Sequence, residues 1–583
     1  KSEHSTRCWG FFYGFFDDPS HTSLRALAVL AYSLVMSSST HNRALLQPQP
    51  YRDMVRSFQW NIPEFFNIGE AVSGYWAKHD PDRLAIIDER EDGSVREWSF
   101  LALDRLANRF ANALVASGAR VGDRVGIHLP QRVETAAAHL GALKAGMITI
   151  PLFELFAHDA LTYRLRAADA RVLITSETGA AAVNRDKLPT LSTVVSIDGP
   201  SDHAVSWNDF VYPAKDQFRA HATRAEDRAL IIFTSGTEGP PKGAVHAHRV
   251  LLGHLPGVEL PQNFLPQPGD RLWTPADWSW IGGLLDVLLP GLYHGVPVVA
   301  RRFTKFDPEQ AFDLLARHHV RNTFLPPTAL KIMAKAIDRP VPGVDLRSVG
   351  SGGERLGAPL QEWSQAVFGR PVNEFYGQTE VNLVISNCHE IMDIKPGFMG
   401  RSVPGHYVAI VDDEGVVMPA GEVGNIAVRR PDPVLFLEYY RQPDKTAEKF
   451  IGDWCILGDR GHRDREGYFW FEGRNDDVIS SAGYRIGPSE IEECLQTHAA
   501  VHLSGVIGRE DSDRGEIIVA YVVLAQGHKG TDALRRALQD HVRANLAAHE
   551  YPREVVFIDV LPMTVTGKIQ RSVLRQVDQR RAR

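Results

Sequence analysis

Between residues 65 and 440 the apolar positions alternate between a helical period and short unbroken runs. Phe100–Ser117 places Leu101, Leu103, Leu106, Phe110 and Leu114 at the spacing of an amphipathic helix. Gly118 stops that helix, and Val125–His128 then reads as a buried strand. The same succession recurs in Thr135–Lys144 with Met147–Pro151, and in Ala311–His319 with Asn322–Leu325. Strands separated by helices favour parallel sheets with helices on their faces, so the fold class expected is α/β.

Beyond about residue 400 the pattern changes. Tyr407–Asp412, Gly424–Arg429 and Gly467–Phe471 read as strands broken by Gly, Pro and Asp turns. A β-rich subdomain over about 400–475 is expected, closing a large N-terminal domain over 51–475. A small α+β domain over 476–583 follows. It holds a helix from Pro488, strands at Ser504–Gly508 and Ile517–Leu524, and a helix at Asp532–Ala547. Pro488 at the first helical position, with Glu490 and Glu492 in the first turn, suits a helix N-terminus.

Composition narrows the class. A chain of 583 residues exceeds a single core. Its net charge of -7 argues against a nucleic-acid partner, which would demand an excess of Lys and Arg. Cys8, Cys388, Cys455 and Cys494 show no CxxC spacing, so neither a disulfide framework nor a zinc site is expected, and a reducing, cytoplasmic setting is. No apolar run reaches the roughly 20 residues needed for a membrane span. Leu24–Met36 has signal-peptide length, but Asp17 and Asp18 precede it. Globular pattern begins near Tyr51, so residues 1–50 are expected to be a non-catalytic extension, with a targeting segment as the alternative.

The densest chemistry lies in Leu230-Ile-Ile-Phe-Thr-Ser-Gly-Thr-Glu-Gly-Pro-Pro-Lys-Gly243. An apolar strand runs into a loop whose glycines let backbone N–H groups approach phosphate oxygens. Thr234, Ser235 and Thr237 add donors and Lys242 adds charge. It is not a Walker loop, because Pro241 precedes Lys242 and Gly243 follows it.

This loop resembles the phosphate-binding signature of the adenylate-forming (AMP-binding) superfamily, with Glu238 where Thr is usual. Gly236 belongs to the same signature. Three further segments match in the family's order, so the resemblance covers roughly residues 60 to 580. In Glu374-Phe-Tyr-Gly-Gln-Thr-Glu380 it implies that Tyr376 flanks adenine, Thr379 bonds phosphate and Glu380 reaches magnesium; Glu374, Phe375, Gly377 and Gln378 complete the ATP-site segment. Ser351-Gly-Gly-Glu-Arg355 resembles the adenine-contacting loop, bringing in Gly353, Glu354 and Arg355. Asp459 matches the carboxylate that holds both ribose hydroxyls, Arg474 a second ribose contact and Asp476 the hinge; Asp477 reads as a surface turn. In Thr564-Val-Thr-Gly-Lys-Ile-Gln-Arg571, Lys568 matches the lysine that bridges substrate carboxylate and α-phosphate, where a positioned ammonium offsets transition-state charge.

The resemblance implies an AMP-forming acyl-CoA synthetase using ATP, Mg2+ and coenzyme A, closest in pattern to medium-chain and branched-chain enzymes. Ser480-Ser-Ala-Gly-Tyr-Arg485 matches a loop facing the site in the second half-reaction, with Gly483 leaving room for pantetheine and Arg485 contacting phosphate. The chain carries Gly377 where acetate-specific relatives close the acyl pocket with Trp, and Gly282 and Gly352 where they carry larger residues. An acid larger than acetate is therefore expected (medium-chain, branched, cyclic or aryl), with Trp278 and Trp280, beside Ile281, forming an aromatic wall or gate. The alternatives are an adenylating ligase that loads a carrier protein, an acetyl- or propionyl-CoA synthetase, a luciferase-like oxidative enzyme, and a catalytically silent nucleotide-binding module. A monomer or homodimer is expected. His246 and His248 have poor spacing for a metal and read as structural.

Overall fold

In a computed structural model, the structure describes residues 43–582 apart from 46–47, 157, 235–239, 475–476, 478, 482–483, 512–514, 547–550 and 565–567. Among these residues three sheets organise the chain. An eight-stranded sheet orders Glu438–Tyr439, Gly243–Ala247, Arg228–Phe233, Ile148–Pro151, Arg124–Ile127, Ala170–Thr175, Thr193–Ser196 and Val205–Ser206. A fourteen-stranded sheet runs from Val95–Ser99 and Leu84–Glu89 through the parallel strands Val298–Arg301, Leu272–Trp273, Asn322–Phe324, Ser348–Gly352 and Val372–Gln378, and then turns antiparallel. A five-stranded sheet near the C-terminus is built on the long pair Val501–Asp511 and Gly515–Leu524.

Local chemistry sets the elements. Ser99 caps the helix Phe100–Ala116 by accepting from the Ala102 N–H, and Gly118, at φ +86°, ends it in the left-handed region. This helix lies against Val133–Lys144 so closely that a Cβ on Gly141 would sit 2.5 Å from the Ala107 carbonyl oxygen. Lys144, buried between them, is held by Asp104 and Asn108. The helix from Pro488 begins where expected and ends at Gln496; the later helix is Asp532–Asn545, capped by Thr531.

The β-rich segment needs correction. It is not a separate sheet: Phe398–Ser402 pairs on one edge with Asn382–Ser386 and on the other with Phe469–Arg474. The strands between residues 400 and 475 thus extend the fourteen-stranded sheet, apart from Glu438–Tyr439, which pairs in the eight-stranded one. The last of them is Phe469–Arg474, displaced from the expected Gly467–Phe471 because Gly467 (φ +92°) still belongs to the turn. Both large sheets share a continuous apolar core, including Phe110, Leu230, Leu285 and Phe375, while Ile491, Val506, Val522 and Leu538 form a second core in the C-terminal part.

Candidate active site

The apolar strand Arg228–Phe233 delivers Thr234 to the mouth of a cleft of about 2060 Å³, where its N–H donates to the Lys242 carbonyl at 2.9 Å. Lys242 returns along the neighbouring strand and holds its ammonium 5.0 Å from the Tyr439 ring centre. Ser235, Gly236, Thr237, Glu238, Asp476 and Gly483 lie outside the described residues, as does the side chain of Arg485.

Strand Val372–Gln378 supplies the centre of the site. Tyr376 Oη donates to Asp459 Oδ2 at 2.6 Å, and Gln378 Nε2 donates to the same oxygen at 2.5 Å. Asp459 and Arg474 are direct cross-strand partners, which brings Arg474 Nε to 3.9 Å from Asp459 Oδ1. Burial raises the Asp459 carboxyl above its ordinary range; Arg474 and the two donors oppose that rise. Glu380 is buried and accepts from the Tyr439 phenol. Thr379 lines the cleft beside it. Burial pushes the Glu374 carboxyl up to about 8, against the pull of Arg355.

Gly353 turns the adjoining loop at φ +95°, a conformation suited to glycine. Lys568 Nζ comes within 3.9 Å of the point a Gly353 Cβ would occupy. The Lys568 backbone is tied to Thr564 twice, N–H to Oγ1 at 3.0 Å and carbonyl to the Thr564 N–H at 2.7 Å. Its side chain stays open to solvent inside the cleft. The mass of protein around it lowers the ammonium pKa, while Glu354 and Asp459 act in the opposite sense. Glu354 also receives Thr328 Oγ1 at 3.3 Å. Arg355 stacks 4.2 Å over Trp470 and reaches Glu493, on the C-terminal helix Pro488–Gln496, at 3.7 Å.

The acyl-side expectations change most. Trp278 is fully buried in the main core and does not line the cleft. Trp280 is partly open and packs on Phe153 and Phe156 at 5.5 and 6.1 Å. The three glycines do not open one shared volume. A Cβ on Gly377 would lie 1.5 Å from the Asn382 carbonyl oxygen, so this glycine permits a backbone crossing at the bulge between Val372–Gln378 and Asn382–Ser386. A Cβ on Gly352 would lie 2.5 Å from the Phe375 ring, and one on Gly282 2.7 Å from the Phe324 ring. Phe324 and Phe375 stand 5.2 Å apart between them.

Asp477 is not a surface turn. It is buried and paired with Arg571 at 3.2 Å and Arg575 at 2.9 Å, and Arg571 also binds Glu492 at 2.7 Å. His246 and His248 are fully buried; His248 Nδ1 accepts the Ile68 N–H. Tyr439, Trp470 and Phe324 escaped the sequence reading, since each meets its partner only through tertiary pairing. Among the described residues no group of three His, Cys, Asp or Glu could hold a metal, and no helix is long and apolar enough to cross a membrane.

Comparison with known proteins fits this arrangement. The AMP-binding enzyme family model matches residues 75–440 and the AMP-binding enzyme C-terminal domain matches 490–568. The uncharacterized acyl-CoA ligase YtcI of Bacillus subtilis is 36% identical, over 85% of this chain and 93% of its own. The human mitochondrial acyl-coenzyme A synthetase ACSM4 is 35% identical, over 89% and 92%. Among solved structures, an acyl-CoA synthetase of Brucella canis superposes with a TM-score of 0.70 at 29% identity, covering 92% of this chain and 100% of that one. The anthranilate CoA ligase AuaEII, bound to anthranoyl-AMP, reaches 0.78 at 29%, covering 89% and 99%. The chain therefore belongs to the AMP-binding enzyme family, among its acyl-CoA synthetases.

Proposed function

We propose that this chain activates a carboxylic acid larger than acetate, of medium-chain, branched or aryl type, as its acyl-adenylate and then transfers the acyl group to coenzyme A. One observation carries the reading of the first half-reaction. Lys568, from the C-terminal part, reaches the same cleft as Gly353, Glu354 and Asp459 from the large sheet. An ammonium there meets the charge that builds as carboxylate attacks the α-phosphate and pyrophosphate leaves.

The remaining roles follow from chemistry. Asp459, its Oδ2 held by Tyr376 and Gln378, presents a fixed carboxylate for two adjacent ribose hydroxyls. Tyr376 flanks the adenine. Thr234, Lys242 and Thr379 receive the phosphates. A single buried carboxylate, Glu380, fits a Mg2+ that takes its other ligands from phosphate oxygens and water. When bound, that ion neutralises triphosphate charge. Asp476 is read as the hinge, Gly483 and Arg485 as elements of the second half-reaction.

Acid size rests on the partly open run Trp280–Gly282 facing the aromatic pair Phe324 and Phe375, and no longer on Gly377. Such a wall suits an aryl ring or a short hydrocarbon chain. Similarity to solved anthranilate and benzoate CoA ligases supports the same class. The test is pyrophosphate release with acetate, hexanoate, octanoate, 2-methylbutyrate and benzoate, with and without CoA. At least one larger acid should exceed acetate in kcat/KM by about tenfold or more, and CoA should yield the thioester. Preference for acetate would reject the size assignment; thioester formation only on a carrier protein would reject the acceptor.

A further inference from the structure

The helical run from Ile281 to Tyr293 is apolar apart from one residue, Asp286, which sits in a π-helical turn spanning Leu284–Leu288. Asp286 faces the helix Val250–Glu259, and His254 Nε2 lies 2.7 Å from its Oδ1. His254 has no exposed surface, and among the described residues its Nδ1 has no hydrogen-bond partner. Asp286 Oδ2 takes no hydrogen bond among the described residues, and 6% of the side chain remains open although the helix lies in the core. That oxygen is 3.4 Å from the point where a Gly282 Cβ would stand, and Phe324 Cε1 is 2.7 Å from the same point. Trp280, Ile281 and Gly282 on the preceding turn are themselves partly open. A nine-tenths buried carboxyl group whose Oδ2 takes no hydrogen bond among the described residues thus meets the edge of the aromatic wall.

Burying this pair carries a cost. Two apolar side chains of similar volume would fill the space at lower desolvation cost. A π turn inside a helix also carries a cost, and such turns concentrate where function needs them. Resting on the reading that the acid lies against Gly282 and Phe324, we propose that Asp286, held by His254, determines specificity at the far end of the acid pocket and selects acids bearing a hydroxyl or aromatic amino group there. Burial raises the Asp286 carboxyl well above its usual range and lowers the His254 imidazolium well below its own. Both shifts disfavour charge at this end of the pocket, which suits a neutral hydrogen-bonding substituent rather than an ion.

The experiment measures kcat/KM for pyrophosphate release with two matched pairs, benzoate against 4-hydroxybenzoate and hexanoate against 6-hydroxyhexanoate. The wild-type enzyme, Asp286→Leu and Asp286→Asn are compared. In the wild type the hydroxylated acid should lead its parent by about tenfold or more in at least one pair. Asp286→Leu should abolish or invert that ratio, and Asp286→Asn, which keeps a hydrogen-bonding head of the same shape, should retain part of it. A wild-type preference for the plain acid in both pairs overturns the proposal, as does a Leu variant that slows all four acids by one common factor. Should Asp286→Leu fail to fold, Asp286→Ala carries the same test, and a hydroxyl preference unchanged from the wild type in that variant overturns the proposal. The adenylation reading stands or falls separately: it survives whenever any of the four acids releases pyrophosphate, and it falls with this proposal if none of them and none of the wider acid panel does.

Discussion

The Tyr376 phenol and the Asp459 carboxylate, 83 residues apart, are joined by a 2.6 Å hydrogen bond in the interior of the cleft. Tyr376 and Gln378 bind the same oxygen, Oδ2, while Arg474 approaches Oδ1. Asp459 is thereby oriented before nucleotide arrives. Tyr376→Phe removes a donor to a buried, charged acceptor, an interaction of about 1.5–3 kcal/mol. The KM for ATP should rise about tenfold or more, with a smaller change in kcat. An unchanged KM in a folded variant would show that Gln378 alone suffices.

Lys568→Ala should abolish acyl-AMP formation and spare thioesterification of supplied acyl-AMP. Lys568 enters the cleft from the Thr564 turn, and the task proposed for it is the phosphate displacement alone. Parallel loss of both half-reactions in a folded variant would refute the assignment.

Gly377→Ala should destabilise the fold and lower activity toward all acids in proportion. The added methyl group would begin 1.5 Å from a backbone oxygen, where no side-chain rotation gives relief. Overpacking ordinarily costs about 1–3 kcal/mol, and a backbone clash belongs at the top of that range or beyond. Thermal unfolding read alongside an acid panel checks this; a stable variant with altered acid preference would restore Gly377 to the acyl pocket.

Glu374→Gln should stabilise the protein more at pH 8 than at pH 5. Folding raises the Glu374 carboxyl from the usual range to about 8, so between those values the folded state holds a proton that the unfolded chain has released. Stability contributed by that proton is complete below the unfolded pKa and is lost as pH rises through the folded one. Glutamine carries no such dependence. Arg355 and Glu493 also face this carboxyl, and the variant leaves both in place. Equal effects at the two pH values would refute the assignment.

Deletion of residues 1–42 should leave catalytic rates unchanged, whereas deletion through residue 45 should lower thermal stability. Buried Glu259 accepts the N–H groups of Ala44 and Leu45 at 3.0 and 2.6 Å. Stripping these donors from a buried carboxylate costs about 1–3 kcal/mol or more. Equal melting temperatures for the two truncations would count against that anchor.

Much of the architecture was legible because it is local. The helix at Phe100 follows from apolar spacing and the serine before it, and the strand at Leu230 from an unbroken apolar run ending in glycines and hydroxyls. What stayed hidden depends on partners distant in sequence. The turn residues after 400 announce strands but not that Phe398–Ser402 would stitch them to Asn382–Ser386. A glycine reads the same whether it makes room for a ligand or for a crossing backbone, which is how Gly377 misled. Trp278 and Trp280, two residues apart, were read as one wall, yet one is core and the other half open. Asp477 looked solvated because nothing nearby in sequence shows that Arg571 and Arg575 fold back upon it.

That last clamp bears on how the enzyme changes state. Arg474 is bound into the large sheet by its pairing with Asp459, while Asp477 is locked to the helix Arg571–Ala582 that follows Lys568. The sequence leaves two residues between these anchors, Arg474 and Asp477, and there we place the proposed hinge. Were the C-terminal part to turn about so short a link, Lys568 would stay at an effective concentration in roughly the millimolar range or above. Its return would then be an intramolecular event, independent of how dilute the enzyme is.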